Sequence, residues 1–235
     1  MYATPYIGAM IYALVGLAFL ALVFLPQMWV RGAIARHGKP RDDFPGTGGE
    51  LARHLLDEAG LQTVGVEAVA SGDHYDPRDK MVRLSEPHYN GRSLSAVAIA
   101  AHEVGHALQD AHGYKPLKIR TRFAGSVQKI EKIGGAIMLA TPVIAAITRA
   151  PSIIALELAV GLLVLLSSVA FHLITLPVEM DASFGRALPI LKAGRYLDDK
   201  DLPAANHVLK AAAFTYVSAA LISLLDIARW LRILR

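Results

Sequence analysis

The chain begins with a long stretch that contains no charged side chain. No Asp, Glu, Lys or Arg occurs between Met1 and Val30, and an apolar run extends from Ile7 to Val30. At 1.5 Å of rise per residue, a helix over this run crosses a hydrocarbon core of about 30 Å. A secretory leader would have a basic segment followed by a shorter apolar region. We therefore expect residues 1–30 to form a transmembrane helix.

Three further apolar runs alternate with charged segments along the chain. Residues 133–148 and 158–178 lie on either side of a short polar turn, which predicts a transmembrane helical hairpin over 133–178. The last run, 211–225, precedes a basic amphipathic end, so residues 211–235 form either a fourth span or an interfacial helix. We expect a mainly α integral membrane protein with three or four transmembrane helices.

Composition and charge narrow the functional classes. The chain is 54% hydrophobic and 19% charged, which disfavours disorder, and it has no cysteine, which excludes a disulfide framework and thiolate metal ligands. The net charge of +4 arises from basic clusters that flank the apolar runs, so we expect contact with the lipid bilayer and not with nucleic acid. The same clusters place residues 31–132 and 179–210 on the cytoplasmic face.

The segment 31–132 has the pattern of a small α+β domain. Apolar periodicity and turn residues predict an amphipathic helix, two strands in a hairpin-like sheet and a second helix, over residues 49–59, 64–69, 81–85 and 96–110. Ser93 or Ser95 can cap the second helix. We expect the strand 81–85 to be an exposed edge that holds an extended peptide through main-chain hydrogen bonds.

Residues 102–106 read His-Glu-Val-Gly-His, an HExxH pattern inside the second predicted helix. Residues four apart share a helix face, so His102 and His106 can offer two imidazole nitrogens to one Zn²⁺. Zinc lowers the pKa of water towards about 7 and polarises a carbonyl, while Glu103 takes the proton and returns it to the leaving amine. The pattern predicts peptide hydrolysis with one zinc ion per chain.

A catalytic zinc requires a third protein ligand, and two residues compete for this role. His112 follows His102 at the spacing of an extended zincin motif, but Gln109 stands where that motif has a chain-turning glycine. A continuing helix would turn His112 away from the metal. Glu179 follows the predicted hairpin, which returns the chain to the same membrane face. We therefore expect Glu179 to be the third ligand.

Four stretches give the chain a specific resemblance to a known family. They are residues 74–78 (HYDPR), 82–85 (VRLS), 100–109 (AAHEVGHALQ) and 176–183 (LPVEMDAS). The sequence resembles the YugP-type family of bacterial membrane zinc metallopeptidases along nearly its whole length. The resemblance implies a multi-pass, gluzincin-like protease of the bacterial inner membrane, distantly similar to HtpX-type proteases. It also implies two histidines and one glutamate on zinc, in a zincin-like domain at the membrane face.

Four more residues are candidates for supporting the ligands or stabilising the oxyanion. Asp181 either orients a ligand histidine or stabilises the start of a helix. Asp181 follows Glu179 by two residues, whereas in HtpX-type proteases an aspartate follows the ligand glutamate by four. His172 either approaches the site or makes an interhelical hydrogen bond. His74 and Tyr89 either approach the zinc or anchor turns.

The sequence as a whole predicts a membrane-embedded zinc endopeptidase that acts on a peptide or membrane-protein substrate. The rival is a non-catalytic membrane scaffold or partner-binding subunit with a structural zinc. Glu103 favours the enzyme, because a structural site requires ligands and no general base. A regulatory membrane partner or a homo-oligomer is compatible with the sequence. The predicted units are 1–30, 31–132, 133–178, 179–210 and 211–235.

Overall fold

The computed structural model describes residues 4–70, 72–148 and 151–215. The described chain is mostly helical and has one small sheet. Its helices are α1 (Thr4–Arg36), α2 (Gly48–Glu58), α3 (Glu86–Tyr89), α4 (Leu94–Ala111), α5 (Lys115–Thr148), α6 (Pro151–Met180), α7 (Leu188–Ala193) and α8 (202–215). A π-helical segment, Asp181–Ala187, joins α6 to α7. The strands are β1 (Gly65–Val69), β2 (His74–Asp76) and β3 (Met81–Ser85).

Helix α4 lies at the centre of the folded domain. The Ser93 hydroxyl caps it by accepting a hydrogen bond from the Ala96 amide at 3.1 Å. Ser95 has a different role, because its hydroxyl donates to the Ile34 carbonyl at 2.7 Å and ties α4 to the end of α1. Small and apolar side chains keep nearly all of α4 buried against α2, the sheet and the π-helical segment. The predicted second helix therefore forms the core.

The three strands have an order that corrects two sequence predictions. The order is β1-β3-β2, with β1 parallel to β3 and β2 antiparallel to it. The sheet is therefore not a simple hairpin. The strand at residues 81–85 is central and not an exposed edge, because it pairs on both sides and buries Val82 and Leu84 completely. Its backbone is unavailable to a peptide substrate.

Three helices are much longer than the others and expose large apolar side chains. Helices α1, α5 and α6 contain 33, 34 and 30 residues. Leu17, Ile147 and Leu163 are 65%, 77% and 61% exposed. Within the described residues, one helical stretch, Ala159–Ala193, is both long and apolar enough to cross a membrane. The expected number of three or four spans thus stays a prediction.

Helices α5 and α6 pack side by side as a hairpin. A side chain on Gly134 would overlap Val164, which shows how closely the two helices approach. Helix α5 runs without a break from Lys115 through the predicted boundary at residue 132. The turn predicted before α6 includes residues 149–150, and most of the segment predicted over 211–235 falls in 216–235. Both of these lie outside the described residues.

Candidate metal centre

Three buried side chains from two helices converge at one point. His102 and His106 lie one turn apart on α4, and Glu179 comes from the end of α6. One ligand atom from each of the three lies within 4.8 Å of the other two. Glu179 Oε2 is 3.2 Å from His102 Nε2 and 3.4 Å from His106 Nε2. Each of the three residues is at most 5% exposed, so this is an interior site.

The outer nitrogen of His102 has a defined hydrogen-bond partner. The Ser183 hydroxyl lies 3.0 Å from His102 Nδ1 and donates to the Leu209 carbonyl at 3.3 Å. A hydroxyl that donates elsewhere accepts from the imidazole, so Nδ1 carries the proton. The lone pair of His102 Nε2 is therefore directed towards the centre.

His106 is oriented in the same way by Gln109. The Gln109 amide nitrogen donates to the Val178 carbonyl and to Asp181 Oδ2, both at 2.8 Å. Its amide oxygen is left to accept from His106 Nδ1 at 3.0 Å. Asp181 thus reaches His106 through Gln109, and Arg186 Nε donates to the same carboxylate oxygen at 2.8 Å. Asp181 is thus linked to His106 through one intervening side chain, and its role stays a prediction.

The other oxygen of Glu179 faces a cation from α5. Arg120 Nη1 lies 3.2 Å from Glu179 Oε1. The two carboxylate oxygens thus have separate surroundings, with the guanidinium beside Oε1 and the imidazoles beside Oε2. Arg120 therefore supplies a positive charge to this buried carboxylate without making a hydrogen bond to Oε1.

The three side chains open onto a small cavity of about 180 Å³. Its other lining residues come from α1, α4, α5, α8 and the strand β2 with the turn before it: Ile34, Asp73, His74, Tyr75, Ile99, Glu103, Arg120, Ala212 and Thr215. Glu103 Oε2 is buried there and has no hydrogen-bond partner among the described residues. Burial raises the pKa of Glu103 to about 7, and the Glu179 carboxylate acts in the same direction while His102 opposes it.

Of the remaining sequence candidates, one lines this cavity and three do not. His74 lines the cavity. Tyr89 does not, because its ring packs against Gly49. His172 does not line it either, since it precedes Glu179 by two turns of α6 and its ring contacts Phe171. His112 follows α4 as an exposed residue beside Arg186 and lies outside the ligand group.

Three residues of the site were missed by the sequence analysis. Gln109 follows His106 by three residues and so shares its helix face, a signal that was available. Ser183 follows Glu179 by four residues, but the π-helical segment changes which residues share a face. Arg120 gives no local signal, because only the packing of α5 against α6 brings it to Glu179.

The fold and the site together define a mostly helical protein with a buried group of two histidines and one carboxylate that could hold a metal ion. The chain belongs to the family described as "Putative neutral zinc metallopeptidase", whose model matches residues 11–235. It is 38% identical over 232 residues to "Putative membrane protease YugP" of Bacillus subtilis (strain 168), covering 95% of this chain and 96% of that protein. These matches confirm the YugP-type resemblance. No solved structure matches the chain.

Proposed function

We propose that the protein is a membrane-embedded, zinc-dependent endopeptidase. The observation that carries this proposal is the convergence of three electron-pair donors: two imidazole nitrogens whose outer N–H groups are already engaged, and one carboxylate oxygen. Arg120 pairs with Glu179 Oε1, but without a metal ion the two imidazole nitrogens and Glu179 Oε2 would face one another in a buried space at a high cost in free energy. Family membership and the related membrane protease support zinc as that cation.

The residues present fit a catalytic zinc site. His102, His106 and Glu179 would hold the ion, which makes three protein ligands, the number expected where a fourth position serves a substrate or water. A bound zinc would supply a water of lowered pKa and polarise a peptide carbonyl.

Glu103 is the proposed general base. Its carboxylate faces the same cavity as the three ligands, and Oε2 is committed to no other hydrogen bond in the described chain. It would accept a proton and return it to the leaving amine. Gln109 and Ser183 would orient the two ligand histidines, with Asp181 acting on His106 through Gln109.

We further propose a multi-pass protein of the bacterial inner membrane with three or four spans and a cytoplasmic active site. The exposed apolar surfaces of α1, α5 and α6 support the spans. The basic clusters on either side of the apolar runs support the orientation. A peptide or a membrane protein would be the substrate, because Glu179 follows directly on an apolar run and its cavity lies beside that helix.

The decisive experiment compares the purified chain with Glu103→Gln and with Glu86→Gln, an exposed control that makes the same chemical change. We expect both variants to retain one zinc per chain, since the ligands remain. Cleavage of a quenched fluorescent peptide and of a reconstituted single-span protein should fall by a factor on the order of 10² or more in Glu103→Gln alone, because positioned proton transfer is lost. Full cleavage by Glu103→Gln would refute the mechanism, and a zinc-loaded native chain without proteolysis would favour the scaffold.

A further inference from the structure

Three cationic side chains line a second cavity, outside the metal centre. This cavity, of about 310 Å³, lies between the β2–β3 turn, the end of α4 and the first turns of α5. Arg78, Lys118 and Arg122 line it, and none of them makes an ion pair or a side-chain hydrogen bond within the described residues. Arg78 extends over α5, where a Cβ on Gly125 would lie 3.8 Å from Nη2. We call this cavity the Arg78 pocket.

The acidic residue of the Arg78 pocket does not neutralise these charges. Asp110 lines the pocket, but its Oδ2 accepts a hydrogen bond from the Tyr75 hydroxyl at 2.7 Å and is paired with Lys80. The first turn of α5 also lies at the pocket and adds the partial positive charge of a helix N-terminus. The pocket is therefore a concave site with an excess of positive charge.

The helix hairpin places the Arg78 pocket level with exposed apolar side chains. Arg120 of α5 contacts Glu179 of α6, and Gly134 packs on Val164, so the helices are antiparallel. Lys118 and Arg122 accordingly lie at the height of the last turns of α6. At this height Ile119, Phe123 and Leu173 are 45%, 48% and 60% exposed. Such side chains insert readily at the boundary between head groups and acyl chains.

We propose that the Arg78 pocket binds the phosphate head group of an anionic membrane lipid. Basic pockets beside membrane-spanning helices attract such head groups, and each nearby Lys or Arg strengthens the interaction. A soluble phosphate shares the chemistry of the head group. The lipid is favoured because Ile119 and Phe123, which lie at the same height of α5 as Lys118 and Arg122, expose apolar surface that acyl chains would cover. This inference rests on the proposed membrane location and not on peptidase activity.

The test measures lipid affinity of the full-length protein in detergent by native mass spectrometry. Phosphatidylglycerol and phosphatidylcholine with identical acyl chains are titrated separately. The triple variant Arg78→Gln, Lys118→Gln, Arg122→Gln should raise the Kd for phosphatidylglycerol by about tenfold or more and leave that for phosphatidylcholine unchanged, since each cation contributes to the anionic lipid alone. A matched control, Lys39→Gln, Lys129→Gln, Lys192→Gln, removes the same charge from exposed positions outside the pocket and should change little.

A second variant tests the shape of the Arg78 pocket. Thr121→Phe keeps all three cations but fills the cavity that Thr121 lines, and should also weaken phosphatidylglycerol binding. The zinc content of each variant shows whether its metal centre is intact. If the triple variant loses zinc, lipid binding by Thr121→Phe tests the proposal in its place. Equal weakening in the control, unchanged binding in Thr121→Phe, or displacement of the lipid by millimolar inorganic phosphate would overturn the proposal.

Discussion

At the level of single residues, the metal centre depends on groups that never touch the metal position. Gln109 and Ser183 accept from the outer nitrogens of His106 and His102, which leaves both inner nitrogens unprotonated. Gln109 is completely buried, and its amide also joins α4 to the end of α6. The fold therefore holds both histidines in the tautomer that the proposed metal site requires.

Replacing Gln109 by leucine should weaken zinc binding without removing a ligand. Gln109→Leu leaves His106 Nδ1 without an acceptor and isolates Asp181 from the ligand, so we expect zinc affinity to fall by about 10- to 100-fold. The exposed Gln128→Leu makes the same chemical change on α5 and should bind zinc normally. Competition with a fluorescent zinc chelator gives both affinities. Equal affinities in the two variants would contradict the role of Gln109.

The two candidates for the third ligand predict different metal contents. Glu179→Ala should purify with clearly less than one zinc per chain, because two histidines would remain in place of three ligands. His112→Ala should retain its zinc, since this exposed residue lies outside the group. Elemental analysis of both proteins decides between them. Zinc retained in the first variant and lost in the second would reverse the assignment.

At the level of secondary structure, the close approach of α4 to the π-helical segment brings the ligands together. A Cβ on Gly105, between the two ligand histidines, would lie 2.7 Å from the Ala182 carbonyl oxygen. Only a glycine permits this separation. The π-helical turn carries Asp181 and Ser183, so it supplies both hydrogen-bond systems that orient the histidines. Such turns are frequent at functional sites.

Gly105→Ala should therefore push the π-helical segment away from α4. We expect a loss of about 1–3 kcal/mol in the free energy of unfolding from overpacking, with weaker zinc binding. Gly32→Ala is the control, because Gly32 lies in helix α1 with no atom near its added Cβ, and alanine there should be neutral or stabilising. Thermal unfolding in detergent, with and without added zinc, compares the two. A melting temperature unchanged by Gly105→Ala would refute this view of the contact.

The secondary elements were largely predictable, but their arrangement was not. Apolar periodicity and the Ser93 cap locate α4, and alternation locates the strands β1 and β3. The order β1-β3-β2 follows from β2, a three-residue strand too short to give a pattern of its own. Pairing with β2 is what makes β3 central. The edge prediction failed for this reason, since strand order depends on contacts between distant residues.

At the level of the whole molecule, the proposed orientation makes a direct prediction. A reporter fused after Lys118 should be cytoplasmic, and one placed at Met1 should be outside, because the basic clusters remain on the inner face. A pair of reporters, one active only in the cytoplasm and one active only outside, measures both sites. Export of the Lys118 fusion would exclude a cytoplasmic active site.

The sequence by itself identified the family and suggested the chemistry that we propose. The HExxH spacing depends only on helical periodicity, and the long apolar runs depend only on composition, so both are readable without neighbours. Family membership is also confirmed from the sequence alone, since the family model matches residues 11–235.

Tertiary structure alone decided how the site is completed. Glu179 meets His102 and His106 only because α6 returns to α4, and Arg120 reaches Glu179 only because α5 packs beside α6. The Arg78 pocket likewise joins a turn to a helix far along the chain. Each of these contacts joins residues that are separated by tens of positions. Local patterns carry no information about such pairs, because they arise when the whole core packs.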